Sequence, residues 1–197
     1  RIPLFPVAVE LLSAPIAQSE SPSADPVLLV RFAGNHKAVK EQTETALSLL
    51  QNSHKISIAR IIEDDGETWE HLDARMSPSV NHMSWRASVP PAEVQGFIDL
   101  LLQTHSHTSL RWQAGIADGR IQVCSEFESE NANTALLQRL RSECQRLGGS
   151  LIIEGAPLPV KATLDAWGYM GKSMVVMQRI KQQLDPERIL SPGRFEF

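Results

Sequence analysis

The chain has 197 residues, 42% hydrophobic and 21% charged, enough for one domain whose core needs no disulfide or metal staple. A formal charge of −4 excludes the basic footprint that a nucleic-acid backbone requires, and no Lys/Arg run is present to hold an anionic membrane surface. No uninterrupted apolar stretch reaches the ~18 residues of a bilayer span.

Cys124 and Cys144 lie far apart and outside any C-x-x-C pattern, so they read as reduced thiols of a cytosolic protein. The opening Arg1-Ile2-Pro3-Leu4-Phe5-Pro6 has neither Met nor a signal layout, and reads as a chain that begins in mid-protein. Ser19 to Pro26 is a polar, Pro-rich loop. Val27 to Phe32 is β-rich and ends at the turn signal Gly34-Asn35. His36 to Leu50 then sets Ala38, Val39, Ala46, Leu47 and Leu50 on one helical face. Lys55 to Ile62 is expected as a second strand, and Thr68 to Arg75 as a short amphipathic helix carrying Trp69 and Leu72.

Met83 to Val89 alternates apolar and polar residues, as a half-buried strand does. Pro90-Pro91 opens a helix whose stripe is Val94, Phe97, Ile98, Leu101 and Leu102. Leu110 to Gly115 and Arg120 to Ser125 form a hairpin across Ala117-Asp118-Gly119. Asn133 to Leu147 is a helix with Leu136, Leu137, Leu140, Cys144 and Leu147 inward, ended by Gly148-Gly149. Ser150 to Ile153 is a short strand, Thr163 to Trp167 a helical turn and Ser173 to Leu184 a last helix. Strands, hairpins and helices without a nucleotide-binding glycine loop predict an α+β fold. Its expected form is one mostly antiparallel sheet with helices packed on one face, ferredoxin-like in character.

His105 and His107 stand two apart but sit in a polar linker, Thr104 to Thr108, and read as a solvated loop. The glycine clusters, Gly115 to Gly119 and Gly148-Gly149, are not phosphate loops, and no Gly-x-Ser-x-Gly elbow occurs. In Trp85-Arg86 and Arg111-Trp112 the two residues must point to opposite faces of a strand. With Trp buried, Arg86 and Arg111 project from the other face, where a guanidinium can bind a carboxylate bidentately; surface arginines on a solvated sheet fit the pattern too. Glu154 and Lys161 flank a Pro-rich connection after a strand, a usual position for functional residues and equally for an ordinary loop.

The run Ile180-Lys181-Gln182-Gln183-Leu184-Asp185-Pro186-Glu187-Arg188-Ile189-Leu190-Ser191-Pro192-Gly193-Arg194-Phe195 resembles the closing motif of FAD-linked oxidases, of the vanillyl-alcohol-oxidase type. Physically, Asp185 can cap a fresh turn after Pro186 stops the helix, and Pro192-Gly193 makes a turn that aims Arg194. Trp85-Arg86-Ala87-Ser88-Val89-Pro90 and Leu164-Asp165-Ala166-Trp167-Gly168 are similar to segments of the second FAD-binding subunit of bacterial glycolate oxidase.

The resemblance implies that residues 1–197 form the cap domain of a flavoenzyme, with 185–197 as a tail returning to a separate N-terminal domain that holds most of the FAD. It implies oxidation of glycolate or another small 2-hydroxy acid, with reducing equivalents passing to FAD. Arg86, Arg111, Glu154 and Lys161 would face a small carboxylate substrate, and Ser191, Pro192, Gly193 and Arg194 the cofactor. Further oxidase subunits, including an iron-sulfur subunit, are implied as partners, with a cytoplasmic location and membrane association only through them. The metal-binding His strand and Glu-His pair of related dehydrogenases are replaced here by Trp112 to Ala117 and by Glu154-Gly155, so no metal site is expected. A non-enzymatic ferredoxin-like small-molecule-binding or regulatory module explains the strands and helices as well, but not the C-terminal motif.

Overall fold

The computed structural model describes residues 3–17, 25–52, 59–77, 81–104, 110–168 and 171–192. Its strands are β1 (Ala8–Leu12), β2 (Val27–Arg31), β3 (His82–Ser88), β4 (Arg111–Gly115), β5 (Arg120–Glu126) and β6 (Ser150–Gly155). Its helices are α1 (Ala14–Ala17), α2 (His36–Gln51), α3 (Gly66–Met76), α4 (Val94–Thr104), α5 (Glu130–Arg146), α6 (Leu158–Thr163) and α7 (Ser173–Leu184), with a 3₁₀ turn at Pro91–Glu93 before α4. The six strands form one sheet of order β2-β1-β4-β5-β3-β6, and every neighbouring pair is antiparallel. The fold is α+β, as the residue patterns predict.

The main core lies between one sheet face and α4, α5 and α6. Alternation puts Met83, Trp85 and Ala87 of β3, Trp112 and Ala114 of β4, Ile121 and Val123 of β5, and Leu151 and Ile153 of β6 on that face. Phe97, Ile98 and Leu101 of α4, with Leu137, Leu140 and Cys144 of α5, close over them. Burying a side chain such as Phe97 or Leu140 contributes about 1.5–3 kcal/mol. The indole N–H of Trp85 has no hydrogen-bond partner among the described residues, so that ring is held by packing alone.

Local chemistry sets the element ends. Asn35 caps α2 by accepting from the Ala38 N–H at 2.9 Å, and Ser129 caps α5 by accepting from the Ala132 N–H at 3.3 Å. Helix α5 ends in a Schellman motif: Gly148 N–H donates to the Gln145 carbonyl at 3.0 Å and Gly149 N–H to the Cys144 carbonyl at 2.7 Å.

Several elements differ from expectation. Strand β1 and the single turn α1 are additional, and β1 lies inside the sheet between β2 and β4. A five-residue strand next to Pro3, Pro6 and Pro15 carries little local signal; its pairing on both edges creates it. Helix α1, together with α3, covers part of the second sheet face through Leu12, Ile16, Ala17, Leu72, Met76 and Cys124. Of the strand expected over 55–62, residues 55–58 lie outside the described residues and 59–62 have no regular structure.

Of the helical turn expected at Thr163 to Trp167, only Thr163 is helical, as the last residue of α6. Pro157 and Pro159 fall at the start of that helix, where their missing N–H groups cost nothing. An Asx turn follows, in which Asp165 accepts from Trp167 and Gly168 N–H at 3.2 and 2.8 Å. Leu102 is exposed; it lies about 80° around α4 from Val94 at 100° per residue, beyond the edge of the buried stripe.

The β4–β5 turn is locked to the start of α4. Gly119 has φ +77, its carbonyl accepts from Val89 N–H at 2.9 Å, and a Cβ built on it would fall 1.8 Å from the Val89 carbonyl oxygen. Gly119→Ala is therefore expected to destabilise the domain by about 1–3 kcal/mol through backbone strain, read as a lower urea midpoint at unchanged m value.

Candidate functional site

Because Trp85 and Trp112 enter the helix-side core, Arg86 and Arg111 emerge on the opposite face. There the cross-strand register forms rows. One runs Leu12–Gln113–Gln122–Arg86–Ile152 over β1, β4, β5, β3 and β6. A neighbouring row runs Arg111–Cys124–Ser84. Helices α1 and α3 cover part of this face, from Leu12 of β1 to Cys124 of β5, and Ser84 of β3 is buried as well, whereas Arg86 is 42% exposed.

The two arginines meet different neighbours. Arg111 lies under α3, where Nη1 donates to the Arg75 carbonyl and Nη2 approaches the Cys124 Sγ at 3.1 Å. Arg75 in turn donates to the Ile16 carbonyl. The pair ties α1 and α3 to the sheet by filling carbonyls that their helix ends leave free. Burial pushes the Cys124 thiol up, with the Arg111 charge and hydrogen bond opposing, and burial drives Cys144 up to about 12. Both shifts run against thiolate formation, the opposite of what activates a nucleophilic cysteine.

Arg86 meets Glu154, with Nε 3.2 Å from Oε1. A β-bulge makes the contact: Ser84 pairs with Gly155 and Trp85 with Ile153, leaving Glu154 as the extra residue on β6. Such a bulge re-aims a side chain. The structure thus joins two of the four expected substrate-side residues. Lys161 is exposed on α6, whose Val160 packs into the helix-side core; it joins neither Arg86 nor Glu154 among the described residues.

Two further residues were not singled out from sequence: Gln113 and Gln122, half-buried beside Arg86 in the same row. Only the register reveals them, since glutamine in a strand carries no chemical motif. Arg120, one row away, is committed to Glu10 at 2.9 Å and Asp118 at 3.8 Å.

At the C-terminus, Asp185 ends α7 as its sequence suggests. It is 3% exposed, and its carboxylate accepts from Ile189 N–H at 2.8 Å, Leu190 N–H at 3.2 Å and the Lys181 ammonium. Lys181 also donates to the Leu190 carbonyl at 2.8 Å. This clip folds the tail back on the helix and leads to Ser191, at φ 48, and Pro192, both exposed. Gly193 and Arg194 lie outside the described residues. Along α7, Val176, Ile180 and Leu184 recur every four residues, all more than half exposed, and Ile189 and Leu190 extend that apolar surface.

The hydrogen bond from Lys181 holds the Asp185 carboxyl below its ordinary value, aided by the Ile189 and Leu190 N–H groups and opposed by burial. A depressed folded pKa contributes stability above the unfolded value near 4 and loses it as pH falls through the folded value. Hydrogen-exchange protection factors of the Ile189 and Leu190 amides are therefore expected to be constant from neutral pH to about pH 5 and to collapse below about pH 4. Asp185→Asn is expected to remove that dependence.

Residues 163–195 match the family model described as FAD linked oxidases, C-terminal domain. Among curated proteins none matches the chain. The matched segment holds the Asx turn, α7, the Asp185 clip and the turn at Ser191. This match supports an FAD-linked oxidase C-terminal domain, and with it a part in an FAD-dependent oxidoreductase.

Proposed function

We propose that the chain is the cap of a flavoenzyme that oxidises a small 2-hydroxy acid, of which glycolate is the simplest. The observation that carries this reading is the partly exposed Arg86–Glu154 pair on the sheet face away from the main core. Arg86 binds the substrate carboxylate, since a planar guanidinium has five donors, more than its ion pair with Glu154 can occupy. Glu154 orients that guanidinium before substrate arrives. The sheet excludes water from the reacting carbon. Arg111 supports the same face from beneath α3, whereas Lys161, on a helix packed against the other face, has no part in this site.

FAD, when bound, supplies the acceptor for the hydride equivalent leaving the substrate carbon. The residues present fit the covering side of such a site. The chain has no glycine-rich strand-to-helix turn for a pyrophosphate, whereas it does have a partly exposed, half-polar sheet face and an exposed turn at Ser191–Pro192. Ser191, Pro192, Gly193 and Arg194 would meet the cofactor, and the apolar face of α7 would rest on the separate FAD-binding domain. A further oxidase subunit, such as an iron-sulfur protein, would take the electrons onward in the cytoplasm.

In the full-length protein, anaerobic glycolate or D-lactate should bleach the visible absorbance of the bound flavin. Arg86→Ala is expected to lower kcat/KM for every carboxylate substrate by roughly tenfold to a hundredfold, matching the ~1.5–3 kcal/mol of charge-assisted hydrogen bonds. Unchanged turnover in that variant would remove Arg86 from the site. Ile180→Asp, which puts a charge on the α7 face, is expected to lower flavin content while far-UV circular dichroism stays unchanged; full flavin retention would argue against the docking role of α7.

A further inference from the structure

The row that contains Arg86 continues as Gln122 and then Gln113, one and two strands away on the same face. Strand spacing of about 4.8 Å puts these side chains roughly 5 and 10 Å from Arg86 along a line perpendicular to the strands. Both amides are half-buried, and neither is tied to another side chain among the described residues. The far end of the row is closed by Leu12, fully buried under α1 and α3. The row therefore sets out a linear track of chemistry across the strands: an exposed cation, two neutral amides and an apolar wall behind them.

We infer that Gln122 and Gln113 set the substrate class: a 2-hydroxy acid of about four to six carbons whose chain carries further hydroxyl groups, in the manner of a sugar acid. The inference rests on the carboxylate-binding role proposed for Arg86. With the carboxylate at Arg86, the carbon chain runs across β5 and β4 toward the α1–α3 wall.

Each carboxamide offers two donors and an acceptor whose lone pairs suit a hydroxyl, itself both donor and acceptor. An alkyl chain in the same track would strip water from both amides and return no hydrogen bond, which is the strongest form of discrimination a polar site exerts. A second carboxylate fits no better. The nearby cation of the next row, Arg120, is already paired with Glu10 and Asp118, and Glu154 adds a negative charge beside Arg86.

The test uses the full-length flavoprotein and length-matched acids, 2-hydroxybutyrate against 2,3,4-trihydroxybutyrate. Wild type is expected to prefer the trihydroxy acid in kcat/KM by at least roughly tenfold. Gln122→Leu should erase most of that preference by lowering the rate for the trihydroxy acid far more than that for 2-hydroxybutyrate, and Gln113→Leu should do the same for a six-carbon polyhydroxy acid against 2-hydroxyhexanoate, since only the longer chain reaches the second strand. Gln122→Thr, which keeps a strand-forming polar residue, should give the same loss if a Leu variant folds poorly. Thermal shifts with the corresponding 2-oxo acids, which cannot reduce the flavin, should show the same loss of discrimination in binding. Bleaching by both acids with a ratio unchanged in the variants would overturn the amide track and leave the oxidase reading standing. No bleaching by any 2-hydroxy acid in wild type would overturn both.

Discussion

Burying Trp85 and Trp112 against α4 and α5 sets the facing of β3 and β4, because a strand can turn only alternate residues inward and neither ring is readily accommodated in water at that size. Once those two strands are oriented, antiparallel register carries the facing to β5, β6 and β1. Arg86, Arg111, Gln113, Gln122 and Glu10 then have no choice but the second face. A slip of one residue would send every one of them into the core and expose the tryptophans. The polar face is thus a consequence of where the apolar bulk goes.

That second face is divided by how its neighbours use it. Over β1 and β4, α1 and α3 bury a small apolar cluster, and the carbonyls at their ends draw in Arg75 and Arg111. At Arg86 a bulge brings Glu154 to the guanidinium instead. Two arginines, each next to a buried tryptophan, therefore have opposite fates. One stabilises a helix layer, and one remains 42% exposed with donors that a carboxylate can reach.

The C-terminal helix follows a different logic. Helix α7 buries none of its residues in this domain, yet Val176, Ile180 and Leu184 align on it with the spacing of a packed face. What holds its end is polar and local: the Asp185 carboxylate satisfies backbone donors that would otherwise be orphaned where the helix stops. An element organised by its own cap, with its apolar face outward, is an exposed apolar patch of the kind that marks an interaction site.

The α+β class, helices α2, α4, α5 and α7, strand β3 and the β4–β5 hairpin were all legible in the residues, since each depends on local periodicity, capping and turn chemistry. The Asp185 cap was legible for the same reason. Strand β1 was not, because five residues among prolines acquire strand character only from two partners distant in the chain. The prolines before and within α6 read as a loop until the helix start they occupy is seen.

For the candidate site, alternation alone determined that Arg86 and Arg111 share a face. Which of them is covered depended on where α1 and α3 pack. That Glu154 reaches Arg86, and that Gln122 and Gln113 lie beside it, depended on register. Periodicity acts over neighbouring residues and so is written in the sequence; register and layer packing join residues tens of positions apart, and only the folded chain decides them.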